Sequence, residues 1–447
     1  MPNNKRNRVD RRDFLRLTTA AGAGLLLSPK LLTGTGQTTT DDLNIAFLGV
    51  GAQGQVLLNA CLKIPGIRIK AVCDIWTAYN LKRASGLLRK YKHDHNTYTD
   101  YLDMLDQEKN LDAVIIATPD FWHSEHTVNC LKAGLHVYCE KEMSNTLEGA
   151  QKMVEAARQT GQLLQIGHQR RSNPLYLHCY HKLLNNAKIL GRITTVNGQW
   201  NRSVQPDIGW PKKYPIDQST LEKYGFQSMY QFRNWRWYRH LGGGPIVDLG
   251  SHQIDIFNWF LKVPPKSVIA TGSNDYYDES THEWHDTVMC IYEYQTSKGI
   301  VKAYYQTITT NSNQGYYEVF MGDQATMLIS ESAGRSGLYR EASTPEWEKW
   351  VRMGYLKEPF KKKEEALPAE ALDVRETLAP PRYDLAVEFT DPYHKPHLEN
   401  FFEAVRGKAK LNCPPETGYE TAVTVLKVNE AVEANRVLEF SPDEFKI

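Results

Sequence analysis

Leu43-Asn-Ile-Ala-Phe-Leu48-Gly49-Val-Gly51-Ala52-Gln53-Gly54 is the stretch on which the reading of the fold turns. Its first half is an unbroken apolar run, as expected of a strand buried on both faces. Gly49 permits a tight turn, Gly51 lets backbone N–H groups approach a pyrophosphate, and Gly54 lets the following helix pack closely on the strand. Ala52 and Gln53 complete this cofactor-binding loop. A helical pattern follows, Val56-Leu57-Leu58 to Cys61-Leu62, and then a second strand, Ile67 to Cys73, that ends in Asp74. Asp74 stands 20 positions past Gly54, where a carboxylate accepts hydrogen bonds from ribose hydroxyls and repels a 2′-phosphate. The spacing therefore predicts a dinucleotide site that takes NAD rather than NADP.

The alternation of strand and helix continues outward. Leu111 to Ala117 reads as a buried strand ending in Thr118-Pro119, and His123 to Gly134 as a helix. Leu135 to Cys139 is a short strand leading into Glu140-Lys141, and a helix over 146–160 precedes the strand Leu163 to Ile166. Ligands of open parallel sheets bind beyond the carboxyl ends of strands, so Thr118, Pro119, His123, Glu140 and Lys141 join the cofactor-binding set. The domain so defined covers 41–167, and 168–447 is assigned to a second α/β domain.

Taken in order, Gly49-x-Gly51-x-x-Gly54, Ala117-Thr-Pro119 with His123, Glu140-Lys141 and Gly242-Gly-Gly-Pro-Ile-Val-Asp248-Leu-Gly-Ser-His252 resemble the Gfo/Idh/MocA family. His397 to Gly407 is similar to that family's C-terminal helix and turn. The resemblance implies a Rossmann domain followed by an α/β domain with an open, mostly antiparallel sheet that often forms oligomer contacts, and NAD(P)-linked chemistry on sugars or cyclitols. Residue by residue, it implies that Lys141 positions the reacting hydroxyl and that Asp248 and His252 form the family's Asp-x-x-x-His pair, with His252 as general base. Residues i and i+4 share a helix face, so Asp248 and His252 can meet one substrate. Glu142 stands where the family has proline, which adds a carboxylate beside Lys141.

Six of the ten tryptophans lie between 200 and 284. Flat aromatic faces suit the C–H faces of sugars, although more than half of these six are expected in the core. Trp237, with Gln169, Arg170, Arg236 and His252, is the expected substrate-binding set, and Gly242 to Gly244 are expected to let backbone pass close to the ligand. Runs at 267–271, 287–294, 299–307 and 316–321 predict a mainly antiparallel sheet with one parallel strand at its edge, and 341–396 reads as a loop-rich insertion. The chain of 447 residues carries 53 Lys+Arg against 52 Asp+Glu, a net charge of +1, so no basic excess exists for a nucleic-acid partner. Seven cysteines without a C-x-x-C pair or a His/Cys cluster speak against a structural metal site.

Residues 1–40 have the form of a targeting segment: Lys5, Arg6 and Arg8, then Arg11-Arg12-Asp13-Phe14-Leu15-Arg16, then a mild apolar run from Leu17 to Leu27. The pattern resembles a twin-arginine signal, which implies export of a folded, cofactor-loaded protein to the periplasm, with no stable membrane insertion after signal removal. Three function classes follow: an NAD-dependent oxidoreductase of a sugar, glycoside or cyclitol with tightly held cofactor, a redox-neutral NAD-dependent glycosidase, and a non-catalytic sugar-binding or assembly protein. A homo-oligomer is expected. Residues 1–40 fused to a twin-arginine-dependent reporter should direct its export, and replacing Arg11 and Arg12 by Lys should stop or sharply reduce it, because two ammonium groups do not mimic paired guanidinium groups. Undiminished export of the lysine variant would remove the assignment.

Overall fold

Apolar strands without a polar face need cover on both sides, and the structure supplies it. The computed structural model describes residues 42–332, 334–358 and 380–447; residues 1–40, read above as a targeting segment, and Lys361 to Glu365 within 341–396 lie outside the described residues. Strands β1 (Leu43–Leu48), β2 (Ile67–Cys73), β3 (Asn96–Tyr98), β4 (Ala113–Ile116), β5 (His136–Cys139) and β6 (Leu164–Ile166) form one parallel sheet in the order β3-β2-β1-β4-β5-β6. The order reverses between β1 and β4, which opens a crevice at their carboxyl ends. On one face, Leu57, Leu58 and Leu88 pack with Leu398, Phe401 and Phe402 against Ile45, Phe47 and Ile115. The last three covering residues come from the helix Lys395–Val405. A segment from far along the chain thus completes the cover of the first sheet.

The second sheet has nine strands: β7 (Ile193–Asn201), β8 (Ser267–Ser273), β9 (Thr287–Thr296), β10 (Gly299–Ile308), β11 (Tyr316–Gly322), β12 (Ala325–Ile329), β13 (Gly337–Arg340), β14 (Arg382–Tyr383) and β15 (Leu438–Glu439). Their order is β14-β13-β12-β11-β7-β10-β9-β8-β15. All neighbours are antiparallel except β7 and β10. The parallel pair is therefore central, not at an edge as the sequence suggested. Parallel neighbours need a long crossover, and here the crossover contains the helix Gly244–Leu261, which packs on β7, β10 and β9 and covers one face of the sheet. The helix Pro415–Ala434 joins the layers by packing on both Gly244–Leu261 and Leu147–Thr160. The described part of 341–396 is more ordered than a loop: it holds the helix Glu348–Arg352 and β14, with Trp347 and Tyr383 buried against each other.

Two expectations change. Among the six clustered tryptophans only Trp235 is buried; Trp200, Trp210, Trp237, Trp259 and Trp284 keep part of their surface. Tyrosine carries the core instead, with Tyr292, Tyr294 and Tyr305 on β9 and β10 fully buried, because alternate strand residues face the covering helix. Arg170, expected in the substrate-binding set, is turned into the interior. Its side chain is 1% exposed and pairs with Glu318 and with Glu331 (Nε to Oε2 2.9 Å), while Tyr176 donates to Glu318 at 2.8 Å. Burial pushes the Glu318 carboxyl up to about 7, against the pull of Arg170. A buried cation flanked by two carboxyls belongs to the architecture: Arg170→Ala should cost about 3–5 kcal/mol, because it strands buried acids, and the urea midpoint of the full chain reads this. An unchanged midpoint would contradict the assignment.

Candidate active site

A cleft of about 680 Å³ runs from the glycine loop after β1 to the ends of β7 and β11, within the range of small-molecule sites. Gly49, Gly51, Ala52, Gln53, Asp74, Thr118, Pro119, Glu140 and Lys141 all line it. Gly49 has φ +84°, and a Cβ there would lie 2.7 Å from the Ala117 carbonyl oxygen; this turn requires glycine. Gly51 has nothing nearer to its missing Cβ than Asn80 Nδ2 at 3.6 Å, so it keeps that wall of the cleft clear for a ligand. Gly54 faces away, with its missing Cβ 2.1 Å from the Gly49 carbonyl, and serves the close helix packing expected of it.

Asp74 lines the cleft at the end of β2. Its Oδ2 accepts from Val50 N–H at 2.9 Å and its Oδ1 from Trp76 N–H at 2.7 Å. Burial raises its carboxyl to about 6, opposed by these hydrogen bonds, by Asn80 and by Arg233. Arg233 reaches over the Trp76 ring from the second domain. The open glycine turn and a carboxylate held at the end of β2 fit a dinucleotide with an unmodified ribose. His123 corrects the sequence reading: it is 1% exposed and lies outside the cleft wall. Its ring spans Thr118 O (2.8 Å) and Glu142 O (2.7 Å), so it ties together the two loops that touch the cleft. Thr118 Oγ1 in turn lies 3.0 Å from His126 Nδ1.

The reacting end forms where the layers meet. Lys141, leaving β5, donates to the Asp248 carboxylate at 3.1 Å and to the Asp248 carbonyl. Arg236 Nε also donates to that carboxylate at 3.1 Å, and Arg202 approaches to 4.0 Å. Burial alone would raise the Asp248 carboxyl, but Lys141, Arg236 and Arg202 hold it well below the usual carboxylate range. One turn along the same helix stands His252, 9% exposed, its Nδ1 without a hydrogen-bond partner. Burial, then the charges of Lys141 and Arg170, hold its pKa far below the ordinary value, so the ring is a neutral base. The structure brings Lys141 onto Asp248, with His252 one turn along the same helix, and Gln169, Arg236 and Trp237 also line the cleft.

Glu142 behaves differently from the added charge that its position suggested. It is 1% exposed, its Oε1 accepts from Met143 N–H at 2.7 Å, and burial raises it to about 8. The glycines before the helix also have another use: Gly244, at φ +76°, leaves room for Trp284, 2.6 Å from its missing Cβ. Several lining residues fall outside the expected substrate-binding set. Trp200 and Tyr316 stack at 4.5 Å, and the Trp200 ring lies 5.3 Å from His252. Asp120, directly after Thr118-Pro119, is pushed up to about 7 by burial, against the pull of Arg236 and Lys141. Glu331, Tyr393 and His394 come from distant turns. Asp120, by its position at a strand end, and Trp200, as one of the clustered tryptophans, carried a sequence signal; the others carried none.

The comparisons agree with this division into layers. Residues 43–168 match the model described as oxidoreductase family, NAD-binding Rossmann fold, and 182–440 the model described as oxidoreductase family, C-terminal alpha/beta domain. Inositol 2-dehydrogenase of Rubrobacter xylanophilus is 24% identical over 301 residues, covering 66% of this chain and 73% of that one. Glycosyl hydrolase family 109 protein 2 of Shewanella sp. strain ANA-3 is 30% identical over 172 residues, but these cover only 34% of this chain and 37% of that protein. The WlbA dehydrogenase of Chromobacterium violaceum, solved with NADH and UDP-GlcNAcA, superposes with a TM-score of 0.66 over 91% of this chain and 98% of that one, at 19% identity; this likeness is one of fold. Two matched halves, in the order in which the parallel and the antiparallel sheets follow each other, make this chain an NAD-binding oxidoreductase of the Gfo/Idh/MocA family.

Proposed function

We propose that the protein oxidises a secondary hydroxyl of a sugar, glycoside or cyclitol, with His252 as general base and Lys141 as the charge that steadies the developing alkoxide. The observation that carries this reading is the junction of Lys141 with Asp248, one helical turn from a neutral His252 and beside the cofactor loop. The hydroxyl proton passes to His252 and the carbinol C–H leaves as hydride, forming a ketone; NAD, when bound, supplies the hydride acceptor. Asp248 acts by holding Lys141, Arg236 and Arg202 on one carboxylate, so the ammonium is positioned before substrate enters. The Trp200–Tyr316 stack offers an apolar platform next to the base, which suits the C–H face of a ring polyol. A cofactor retained through repeated turnovers would suit work outside the cytoplasm, which the Arg11-Arg12 segment supports as the location.

A redox-neutral glycosidase cycle is the second reading, favoured by the 172-residue similarity to the family 109 protein; accumulation of NADH with a free sugar separates the two. A homo-oligomer through the outer face of the second sheet is supported by Ile269, Ile291 and Ile300, each more than two-fifths exposed on β8, β9 and β10. No helix among the described residues is long and apolar enough to cross a membrane.

His252→Ala should lower kcat/KM on a sugar or cyclitol panel by about 10²–10⁴, the usual cost of losing a general base, while calorimetric NAD affinity stays unchanged. Wild-type rates in that variant would refute the mechanism. Because Lys141 helps to depress the His252 pKa, Lys141→Met should move the acid limb of its residual kcat/KM to higher pH; a limb that stays put or moves down would contradict the arrangement. Asp74→Ala should weaken NAD by about 1–3 kcal/mol, the scale of hydrogen bonds to a charged group, and narrow the gap to NADP because Arg233 remains on the same wall. Tighter wild-type binding of NADP than of NAD would overturn the role of Asp74.

A further inference from the structure

Residues 393 and 394 cross from one half of the cleft to the other. The Tyr393 hydroxyl donates to the Glu331 carbonyl at 3.0 Å, on the second-domain side. The His394 Nε2 lies 2.9 Å from the Gln53 amide nitrogen, on the cofactor side. Gln53 is the second residue of the helix Ala52–Cys61, whose N-terminus opens on the glycine turn. Both Tyr393 and His394 line the cleft.

The position of His394 is set from behind. It precedes the helix Lys395–Val405, yet its side chain makes no capping hydrogen bond to that helix. The helix start is held by Lys395, which pairs with Asp391 (3.1 Å) and Glu399 (3.2 Å). Buried His397 holds it too, with its Nε2 2.9 Å from the Ile166 carbonyl and its Nδ1 2.6 Å from Ser172 Oγ. The imidazole of His394 is therefore delivered to the phosphate-binding turn by a rigid element, without a structural task of its own in that helix.

The chemistry of the turn asks for such a group. A dinucleotide pyrophosphate carries two negative charges, and a glycine turn offers only backbone N–H groups. Among the described residues, the lysine and arginines lining the cleft are engaged elsewhere: Lys141, Arg202 and Arg236 gather on Asp248, and Arg233 lies over Trp76. The His394 Nε2 accepts from the Gln53 amide, so the ring carries its proton on Nδ1, and that N–H is the donor His394 can offer.

We propose that His394 is a further cofactor-binding residue, serving the pyrophosphate and its adjoining ribose, and that Tyr393 fastens it across the cleft so that bound dinucleotide leaves slowly. The inference rests on the reading of the cleft as an NAD site and supplies the retention that the proposed function calls for. It does not depend on which sugar is oxidised.

The test uses the full chain and NADH itself. Stopped-flow displacement of bound NADH by excess NAD, followed by nicotinamide fluorescence, gives the dissociation rate, and calorimetry gives the affinity. His394→Ala should raise the dissociation rate and Kd roughly tenfold, the scale of one lost hydrogen bond to a charged group. Tyr393→Phe, which removes only the hydroxyl, should raise the dissociation rate by a smaller factor. The apo melting temperature of both variants should match the wild type, because neither side chain caps or fills the core. Dissociation rates equal to the wild type in both variants would overturn the proposal, as would faster release accompanied by a lowered apo melting temperature. Failure of the wild-type chain to bind NADH would instead overturn the cofactor reading beneath it.

Discussion

The carboxylate of Asp248 draws three cations to one point, and the chemistry of the cleft depends on that convergence. Lys141 arrives from the end of a parallel strand, Arg202 from the end of β7, and Arg236 from the turn before the long helix. Like charges gathered in a partly dehydrated site repel, and the shared carboxylate offsets that repulsion. One turn along the helix stands His252. Burial there, then the charges of Lys141 and Arg170, hold the His252 pKa far below its ordinary value, while Asp248 pulls it the other way. In the proposed reaction, a neutral base and an ammonium can then face one hydroxyl.

Behind this front, buried polar groups fix the relation of the layers. Arg171 binds Asp255 on the long helix through Nε at 2.9 and 3.0 Å, and Thr421 donates to the same carboxylate at 2.9 Å. Arg170 does the equivalent work toward the second sheet through Glu318 and Glu331. Consecutive arginines just past β6 thus reach in two directions, one toward the helix that carries Asp248 and His252, the other toward the strands that carry Tyr316. Apolar packing could supply as much stability, but it is less directional than bidentate and charge-assisted hydrogen bonds. A small rotation between the layers would separate Lys141 from Asp248, so this directional restraint bears on the geometry of the cleft.

Arg170 also marks where sequence reasoning overreached. An arginine next to a strand end is chemically suited to a substrate, and nothing local distinguishes that use from a structural one. Its partners lie 148 and 161 residues away, and only the pairing of β7 with β11 brings Glu318 to it. His123 is similar. It follows a strand end by a few residues, yet its ring is turned inward to two carbonyls. Glu142 shows the reverse problem: its charge type suggested an influence on Lys141, and burial shifts it toward the neutral form.

What the sequence determined by itself was set by local rules. The glycine turn after β1, Asp74 at the end of β2 and the four-residue spacing of Asp248 and His252 are dictated by backbone geometry and by helix and strand periods. These are properties of short segments, so the dinucleotide half and the pairing of Asp248 with His252 on one helix face were legible, whereas Lys141 was singled out through the family resemblance. Tertiary structure decided the rest. It placed β7 at the centre of the second sheet, stacked Trp200 on Tyr316 beside His252, and carried His394 back to Gln53 in the glycine loop. Each of these contacts joins residues dozens to hundreds of positions apart. No periodicity links such residues along the chain; they meet only when two layers bury their apolar faces against shared helices.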